Sequence, residues 1–293
     1  MTTATTTLSI TSVGIAGSGI MGSGIAEVVA LAGFDVTIRS RRQSGADAAL
    51  GRLVKSLSGQ VDKGKLTSDE RDAAVERVQA TTELDALAAC GLVLESVVED
   101  LEVKRQLFAE LDRVCPDDTI LATNTSTLAV SDVAMATGRP DRVLGLHFFN
   151  PAPKMPLVEV VPAVTTAPTT VDAVRRFAED CGKETVMVKD NAGFIVNALL
   201  FPYLNGAVKM LDAETASKED IDAAMKGGCG FPMGPLELLD LIGLDTSVAI
   251  LDALHADRPD ASFAPAPLLK RMVTAEHLGR KTGQGFYEYP AKR

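Results

Sequence analysis

The chain has 293 residues, 46% of them hydrophobic, with a net charge of −10 and a sequence pI of about 4.9. This length predicts one large or two modest domains, and an Ala- and Val-rich composition without Trp favours an α/β enzyme over a β sandwich. The acidic balance argues against nucleic acid and against anionic membranes as partners.

The N-terminal segment and the cysteines favour a soluble, cytoplasmic protein. The segment MTTATTTLSI has no basic region and no long apolar core, so we predict a short disordered tail and no signal peptide. No uncharged apolar run reaches roughly 18 residues, which predicts no transmembrane helix. Cys90, Cys115, Cys181 and Cys229 form no C-x-x-C pair and no Cys/His cluster, so we expect buried thiols, no disulfide and no metal site.

A glycine-rich turn is the most informative motif. A strand is predicted over residues 9–16 and a helix over residues 21–31, and the turn between them places Gly17, Gly19 and Gly22 in a G-x-G-x-x-G pattern. In a strand–turn–helix context, such glycines allow a tight turn, close approach of a pyrophosphate, and close packing of helix on strand. The helix N-terminus then offers free N–H groups to phosphates. The motif predicts a dinucleotide site.

Strands and helices alternate through the first two thirds of the chain. Further strands are predicted over residues 35–39, 92–95, 119–122, 142–148, 157–161 and 185–188, with helical patterns over 46–61, 67–78, 102–114 and 170–182. This alternation predicts a Rossmann-like, mostly parallel sheet that binds ligands at the carboxyl ends of its strands.

Strand patterns nearly vanish beyond residue 189. Helical patterns cover residues 194–211, 217–226, 236–242 and 245–255. We therefore predict a dinucleotide-binding domain over residues 1–188 and an all-helical C-terminal domain over residues 189–293.

Four polar residues are candidates for the chemistry of a nicotinamide enzyme, which needs a proton-exchanging group and groups that hold the substrate oxygen. His147 ends one predicted strand and Glu159 lies in the next. Histidine changes its charge near neutral pH, and a carboxylate on its other nitrogen would fix its tautomer. Ser126 and Asn197 could bind the substrate oxygen. Each residue taken alone also fits an ordinary structural role.

The chain resembles the short-chain 3-hydroxyacyl-CoA dehydrogenase family, and within it the 3-hydroxybutyryl-CoA dehydrogenases. The resemblance extends over nearly the whole chain and rests on these segments in order: GSGIMGSGIAEV, LVLESVVEDLEVKRQLFAELD, ILATNTSTLAV, RVLGLHFFNPAPKMPLVEVV, GFIVNALL, FPMGPLELLDLIGLD and LGRKTGQGFYEY. It implies reversible hydride transfer between a nicotinamide and C3 of an acyl-CoA, giving the (S)-3-hydroxy isomer.

The resemblance also assigns roles. His147 is expected to be the general acid and base, Glu159 its partner, and Ser126 and Asn197 the residues that position the substrate oxygen. The cofactor candidates are Gly17, Gly19, Ile20, Met21, Gly22, Glu99, Lys104 and Asn124. The substrate candidates are Ser126, Asn150 and Asn197 together with three lysines expected near the CoA phosphates, Lys55, Lys63 and Lys65, which could equally form a solvated surface. The C-terminal domain is expected to contribute to the substrate cleft and to a homodimer.

The chain departs from the family at the end of the second predicted strand. Members that prefer NAD usually place an acid there, and this chain has Ser40 followed by Arg41 and Arg42. Without the acid a 2′-phosphate is not repelled, and arginine binds phosphate through charge-assisted hydrogen bonds. We therefore favour NADP(H). The alternative is NAD(H), with the arginines in a solvated loop.

Two other functions stay open at this point. One is a related dehydrogenase that acts on another 3-hydroxy acid or on an acyl carrier protein. The other is a non-catalytic protein that binds acyl-CoA or a nucleotide, although a binding module has no need of His147 with its orienting Glu159.

Overall fold

The computed structural model describes residues 10–290 and divides the chain into two compact units after Asp190. The predicted N-terminal tail and the first residue of the strand predicted over residues 9–16 lie outside the described residues.

The first unit is built on one mostly parallel sheet, in agreement with the predicted fold class. Within residues 10–290 its eight strands lie in the order β3-β2-β1-β4-β5-β6-β7-β8, and β6 and β7 form the antiparallel pair. The inner strands are almost entirely apolar and buried, because a parallel sheet is covered by helices on both faces. The strands are β1 (Ser12–Ala16), β2 (Asp35–Arg39), β3 (Val78–Thr81), β4 (Leu92–Glu95), β5 (Ile120–Thr123), β6 (Val143–Phe148), β7 (Leu157–Pro162) and β8 (Glu184–Met187).

Helices cover this sheet and bury apolar side chains against it. The core cluster joins strands to helices through Ile15, Ile25, Leu53, Phe148 and Phe177, all of them buried. The helices of the first unit are α1 (Ile20–Leu31), α2 (Gln43–Val61), α3 (Ser68–Glu76), α4 (Leu101–Val114), α5 (Val130–Ala134) and α6 (Pro168–Asp180).

The second unit is mainly helical over its described residues, with isolated β-bridges in the segment after its last helix. Its core includes Phe201, Leu204 and Leu251. Asp222 accepts hydrogen bonds from the backbone of Leu236, at 2.8 Å, and of Glu237, at 3.0 Å, and so caps the helix that begins there. The helices are α7 (Val196–Asp212), α8 (Lys218–Cys229), α9 (Pro235–Ile242), α10 (Leu244–Asp257) and α11 (Pro267–Thr274).

Three of these strands and helices were missed from the sequence. The helix predicted over residues 67–78 is α3, which is capped by Thr67 with Glu70 and ends at Glu76. The residues that follow form β3, a four-residue edge strand too short to show a period of its own. Helices α5 and α11 were also not predicted.

The cysteines correct one expectation. Cys90, Cys115 and Cys181 are buried, and burial raises the pKa of the Cys181 thiol to about 12. Cys229 is exposed, contrary to the expectation, because it lies in the last turn of α8, where the helix ends at a left-handed Gly230. Among residues 10–290, no helix has the length and apolar character needed to cross a membrane.

Candidate active site

The glycine-rich turn joins β1 to α1. Gly17 has φ +142°, and a Cβ built there would lie 2.2 Å from the carbonyl oxygen of Ser96. A Cβ on Gly22 would lie 2.1 Å from the carbonyl oxygen of Gly17. A Cβ on Gly19 would meet no atom within 4 Å, so this backbone faces open space. The turn therefore leaves room for phosphate beside the N-terminus of α1, whose first N–H groups have no side-chain cap.

A cavity of about 870 Å³ lies along the carboxyl ends of the parallel strands. One end is lined by Ser40, Arg41 and Arg42 after β2, and the glycine-rich turn forms its middle. The other end is lined by residues 96–99 after β4 and by Asn124 and Ser126 after β5. The structure thus brings together the predicted cofactor residues on these loops, including Ile20 and Met21 on α1.

The end of the cavity at β2 is basic. Ser40 is buried, at 6% exposed, and its Oγ accepts a hydrogen bond of 2.8 Å from the hydroxyl of Ser18. Arg41 and Arg42 are exposed and line the cavity beside it. The described residues that line this end include no carboxylate, so an additional phosphate group here would meet cations and hydroxyl groups.

The opposite end is organised around Glu99. Its Oε1 accepts hydrogen bonds from Thr125 Oγ1 at 2.5 Å and from the Ser126 backbone at 2.9 Å. Its Oε2 lies 3.2 Å from the ammonium of Lys104. Burial opposes ionisation of this carboxyl, but Lys104 and these hydrogen bonds outweigh that effect and lower the pKa of Glu99. Lys104 itself does not line the cavity: it is 1% exposed, and its ammonium lies between the carboxylates of Glu95 and Glu99.

The register of the antiparallel pair places His147 of β6 directly opposite Glu159 of β7. His147 Nδ1 lies 2.7 Å from Glu159 Oε2, and the two residues are 6% and 0% exposed. A buried carboxylate on Nδ1 holds the ring in the tautomer that carries a proton on that nitrogen, and it stabilises the imidazolium cation.

Asn124 links the end of β5, which it follows, to the end of β6 near this pair. Its Oδ1 accepts a hydrogen bond of 2.8 Å from the backbone N–H of Phe148, and Ser126 lies two residues beyond it. The first unit therefore gathers Ser126, His147 and Glu159 on three consecutive strands or the loops that follow them. Asn197, the fourth catalytic candidate, lies in the first turn of α7 in the second unit and is 9% exposed.

A second cavity of about 830 Å³ is lined by all three predicted lysines, Lys55, Lys63 and Lys65, and by Asn150. Sequence reasoning missed two further cations that line it, Lys154 and Arg52. Arg52 donates to Ser23 Oγ at 3.1 Å and to the carbonyl oxygen of Ser18. For Arg52 the available signal was its spacing of three residues from Lys55, since residues three apart share a helix face.

Sequence reasoning also missed the carboxylate of this cavity, Glu27 on α1. The residue is 2% exposed, and Gln60 Nε2 donates to it at 2.7 Å. Burial raises the pKa of Glu27, although hydrogen bonds from Ser56 and Gln60 act in the opposite direction. Among the described residues, no group of three His, Cys, Asp or Glu side chains could hold a metal ion.

Comparisons with known proteins agree with this architecture. The family model "3-hydroxyacyl-CoA dehydrogenase, NAD binding domain" matches residues 12–191, and the model for the C-terminal domain of the same family matches residues 193–289. The chain is 48% identical to a 3-hydroxybutyryl-CoA dehydrogenase of Mycobacterium tuberculosis, with 90% of this chain and 93% of the relative covered.

Two further relatives carry the same name. A 3-hydroxybutyryl-CoA dehydrogenase of Clostridioides difficile is 44% identical, with 90% of this chain and 94% of the relative covered. The crystal structure of (S)-3-hydroxybutyryl-CoA dehydrogenase PaaH1 from Ralstonia eutropha superposes with a TM-score of 0.93 at 39% identity, with 96% of this chain and 99% of that one covered. These matches confirm the resemblance found in the sequence, and the chain belongs to the 3-hydroxyacyl-CoA dehydrogenase family.

Proposed function

We propose that this protein is a 3-hydroxybutyryl-CoA dehydrogenase that interconverts acetoacetyl-CoA and (S)-3-hydroxybutyryl-CoA. The observation that carries the proposal is the buried His147–Glu159 pair, at 2.7 Å, in the same unit as a cavity that suits a dinucleotide. The names of the relatives at 42–48% identity support the substrate.

His147 and Glu159 perform the proton chemistry in this proposal. A bound nicotinamide supplies the hydride that goes to C3, or accepts it in the reverse direction. During reduction, imidazolium His147 gives a proton from Nε2 to the substrate oxygen while Glu159 holds Nδ1. During oxidation, neutral His147 takes the hydroxyl proton. Ser126 and Asn197 are assigned the role of holding that oxygen in place.

The preferred cofactor in this proposal is NADP(H), bound with its adenosine ribose at Ser40, Arg41 and Arg42. The support is the cationic end of the cavity, which has hydroxyl groups where a carboxylate would repel a 2′-phosphate. A hydrogen bond to a charged group contributes about 1.5–3 kcal/mol. Two such bonds correspond to a preference of about a hundredfold or more for the phosphorylated cofactor.

The second cavity is assigned to the CoA moiety. Lys55, Lys63 and Lys65 together with Arg52 line it, and such a set of cations suits the phosphates of a nucleotide. Asn150 also lines this cavity. An acyl carrier protein presents no adenosine phosphates, so this cavity favours a CoA ester over that substrate.

We also propose a homodimer formed through the C-terminal domain. The second unit exposes Leu199, Phe231 and Leu241, at 71%, 43% and 49%, which suits an isologous interface. Sedimentation velocity tests this assignment, since a monomer at micromolar concentration would contradict it.

The deciding experiment compares kcat/KM for acetoacetyl-CoA reduction with NADPH and with NADH. Turnover that is much faster with NADPH supports both the reaction and the cofactor. Turnover that favours NADH keeps the reaction and refutes the cofactor preference. Absence of turnover with both cofactors, in protein that binds a dinucleotide, refutes the reaction in favour of another 3-hydroxy acid or of a binding function.

The arginines are tested by the double variant Arg41→Ala/Arg42→Ala. We expect kcat/KM with NADPH to fall about a hundredfold while kcat/KM with NADH stays within a factor of about two. Arg77→Ala is the matched control, because Arg77 lies at the opposite end of β2 from Arg41 and Arg42. Its guanidinium lies 3.8 Å from the carboxylate of Asp35, the first residue of β2. Unchanged NADPH kinetics in the double variant would refute the role of the arginines.

A further inference from the structure

A fully buried carboxylate lies beneath the cavity at the end of β4. Glu95 is 0% exposed and does not line the cavity. Its Oε1 accepts hydrogen bonds from the ammonium of Lys104 and from the backbone N–H of Val97, both at 2.6 Å, and its Oε2 accepts one of 2.7 Å from Thr123 Oγ1. Burying a charge is costly unless it is paired and hydrogen-bonded. The ion pair with Lys104 and these hydrogen bonds compensate the buried charge of Glu95.

Lys104 links this buried carboxylate to the cavity wall. Its ammonium lies 2.6 Å from Glu95 and 3.2 Å from Glu99, whose other oxygen holds the Ser126 backbone. The three side chains form a line of alternating charges with a net charge of −1. Glu95 therefore fixes the position of Lys104, and Lys104 fixes the carboxylate that lines the cavity.

The position of this line along the cavity follows from the strand order. Arg41 and Arg42 lie on the β2 side of the glycine-rich turn, and Glu99 lies on the β4 side. A dinucleotide with its adenosine ribose at β2 and its pyrophosphate at the turn must place its other ring on the β4 side. The net negative charge therefore lies at the nicotinamide end.

We propose that Glu95 is a positioning residue that holds Lys104 and Glu99 in place and sets the net charge beside the nicotinamide, so that the oxidised ring is favoured over the reduced one. The oxidised ring carries a positive charge and the reduced ring is neutral, so a fixed negative charge discriminates between them. This inference rests on the proposed placement of the dinucleotide.

The test compares binding of NADP+ and NADPH, by isothermal titration calorimetry, to the wild-type protein and to the Glu95→Gln variant. Removing one charge over roughly 10 Å, at an effective dielectric constant of about 20, weakens binding of a cationic ring by about tenfold. We expect the Kd of NADP+ to rise by about that factor and the Kd of NADPH to stay within a factor of about two. If Glu95 had a purely structural role, its replacement would weaken the binding of NADP+ and of NADPH to the same extent.

A second variant separates charge from packing. Glu95→Gln/Lys104→Met returns the net charge of the line to −1 and replaces a buried ion pair by neutral groups, a change that cores commonly tolerate. We expect the ratio of the two Kd values to return toward the wild-type ratio. Glu102→Gln is the matched control, because Glu102 lies on α4, the helix that carries Lys104. The Glu102 side chain is 79% exposed, so solvent screens its charge.

The outcomes are distinct. Equal weakening of both cofactor forms in Glu95→Gln, or no change in either, would overturn this inference. Failure of the double variant to restore the ratio would overturn the assignment to charge. Wild-type protein that binds none of the four nicotinamide dinucleotides would instead refute the proposed function on which the inference rests.

Discussion

Replacing Glu159 by Gln tests the proposed proton chemistry at its most sensitive point. Glu159 Oε2 lies 2.7 Å from His147 Nδ1, and the side chains are 0% and 7% exposed, so little solvent screens the pair. Two unit charges whose centres are about 4 Å apart, at an effective dielectric constant of about 20, interact with about 4 kcal/mol. Gln preserves the shape of the side chain and removes the charge that stabilises the imidazolium. We therefore expect kcat to fall by about a thousandfold.

The assay is acetoacetyl-CoA reduction at saturating NADPH, with the Kd of NADPH and the Tm measured on the same preparations. We expect the Kd to change little, because neither Glu159 nor His147 lines the dinucleotide cavity. The Tm shows whether the variant is folded at the temperature of the assay. Glu184→Gln is the matched control, since it makes the same substitution at an exposed position of the neighbouring strand β8.

Two results would refute the reasoning. One is a loss in kcat smaller than about tenfold in a variant with a normal Tm. The other comes from the double variant His147→Gln/Glu159→Gln. If the residues act as a unit, the double variant should be about as slow as His147→Gln alone. Fully additive losses would mean that Glu159 acts independently of His147.

The other predictions concern the turn and the buried charges. Gly19→Ala should weaken dinucleotide binding at an unchanged Tm, because its Cβ meets only open space, whereas Gly22→Ala should also lower the Tm, because its Cβ would lie 2.1 Å from a carbonyl oxygen; equal Tm values would contradict this. Lys104→Met should lower stability by about 3–5 kcal/mol, because Glu95 is left buried and charged, and the paired change Glu95→Gln/Lys104→Met should recover most of that loss in urea titrations. Glu27→Gln should become more stabilising as pH rises above the ordinary carboxyl pKa of 4.5: burial raises the folded-state pKa of Glu27 above its unfolded value, so the stability that the protonated acid supplies at low pH is lost as pH rises through the folded-state pKa. A Tm difference for Glu27→Gln that does not vary with pH would refute this last prediction.

Sequence patterns alone predicted the mostly parallel sheet and the helical second unit. They succeeded because local signals carry this information: the period of apolar residues distinguishes strand from helix, and the glycine pattern marks the turn after β1. The strand β3 was missed because four residues, Val78–Thr81, have no period to read, and their pairing with β2 is a long-range contact.

The residues of the candidate site also differ in whether a local sequence pattern identifies them. His147 and Glu159 could be selected from the sequence because both lie in short apolar strands where a charged residue is conspicuous. Arg52 and Glu95 were not selected, since a cation on an amphipathic helix and an acid at a strand end are common in any enzyme. Their importance depends on what they contact.

The sequence by itself determined which segments become strands, helices and phosphate-binding turns, because backbone conformation responds to residues only a few positions apart. The tertiary structure alone decided which side chains meet. The antiparallel register places Glu159 on His147, and the adjacent ends of β4 and β5 surround Glu95 with Lys104 and Thr123. These contacts join residues 9 to 28 positions apart in the sequence. Burial then sets how strongly their charged groups interact.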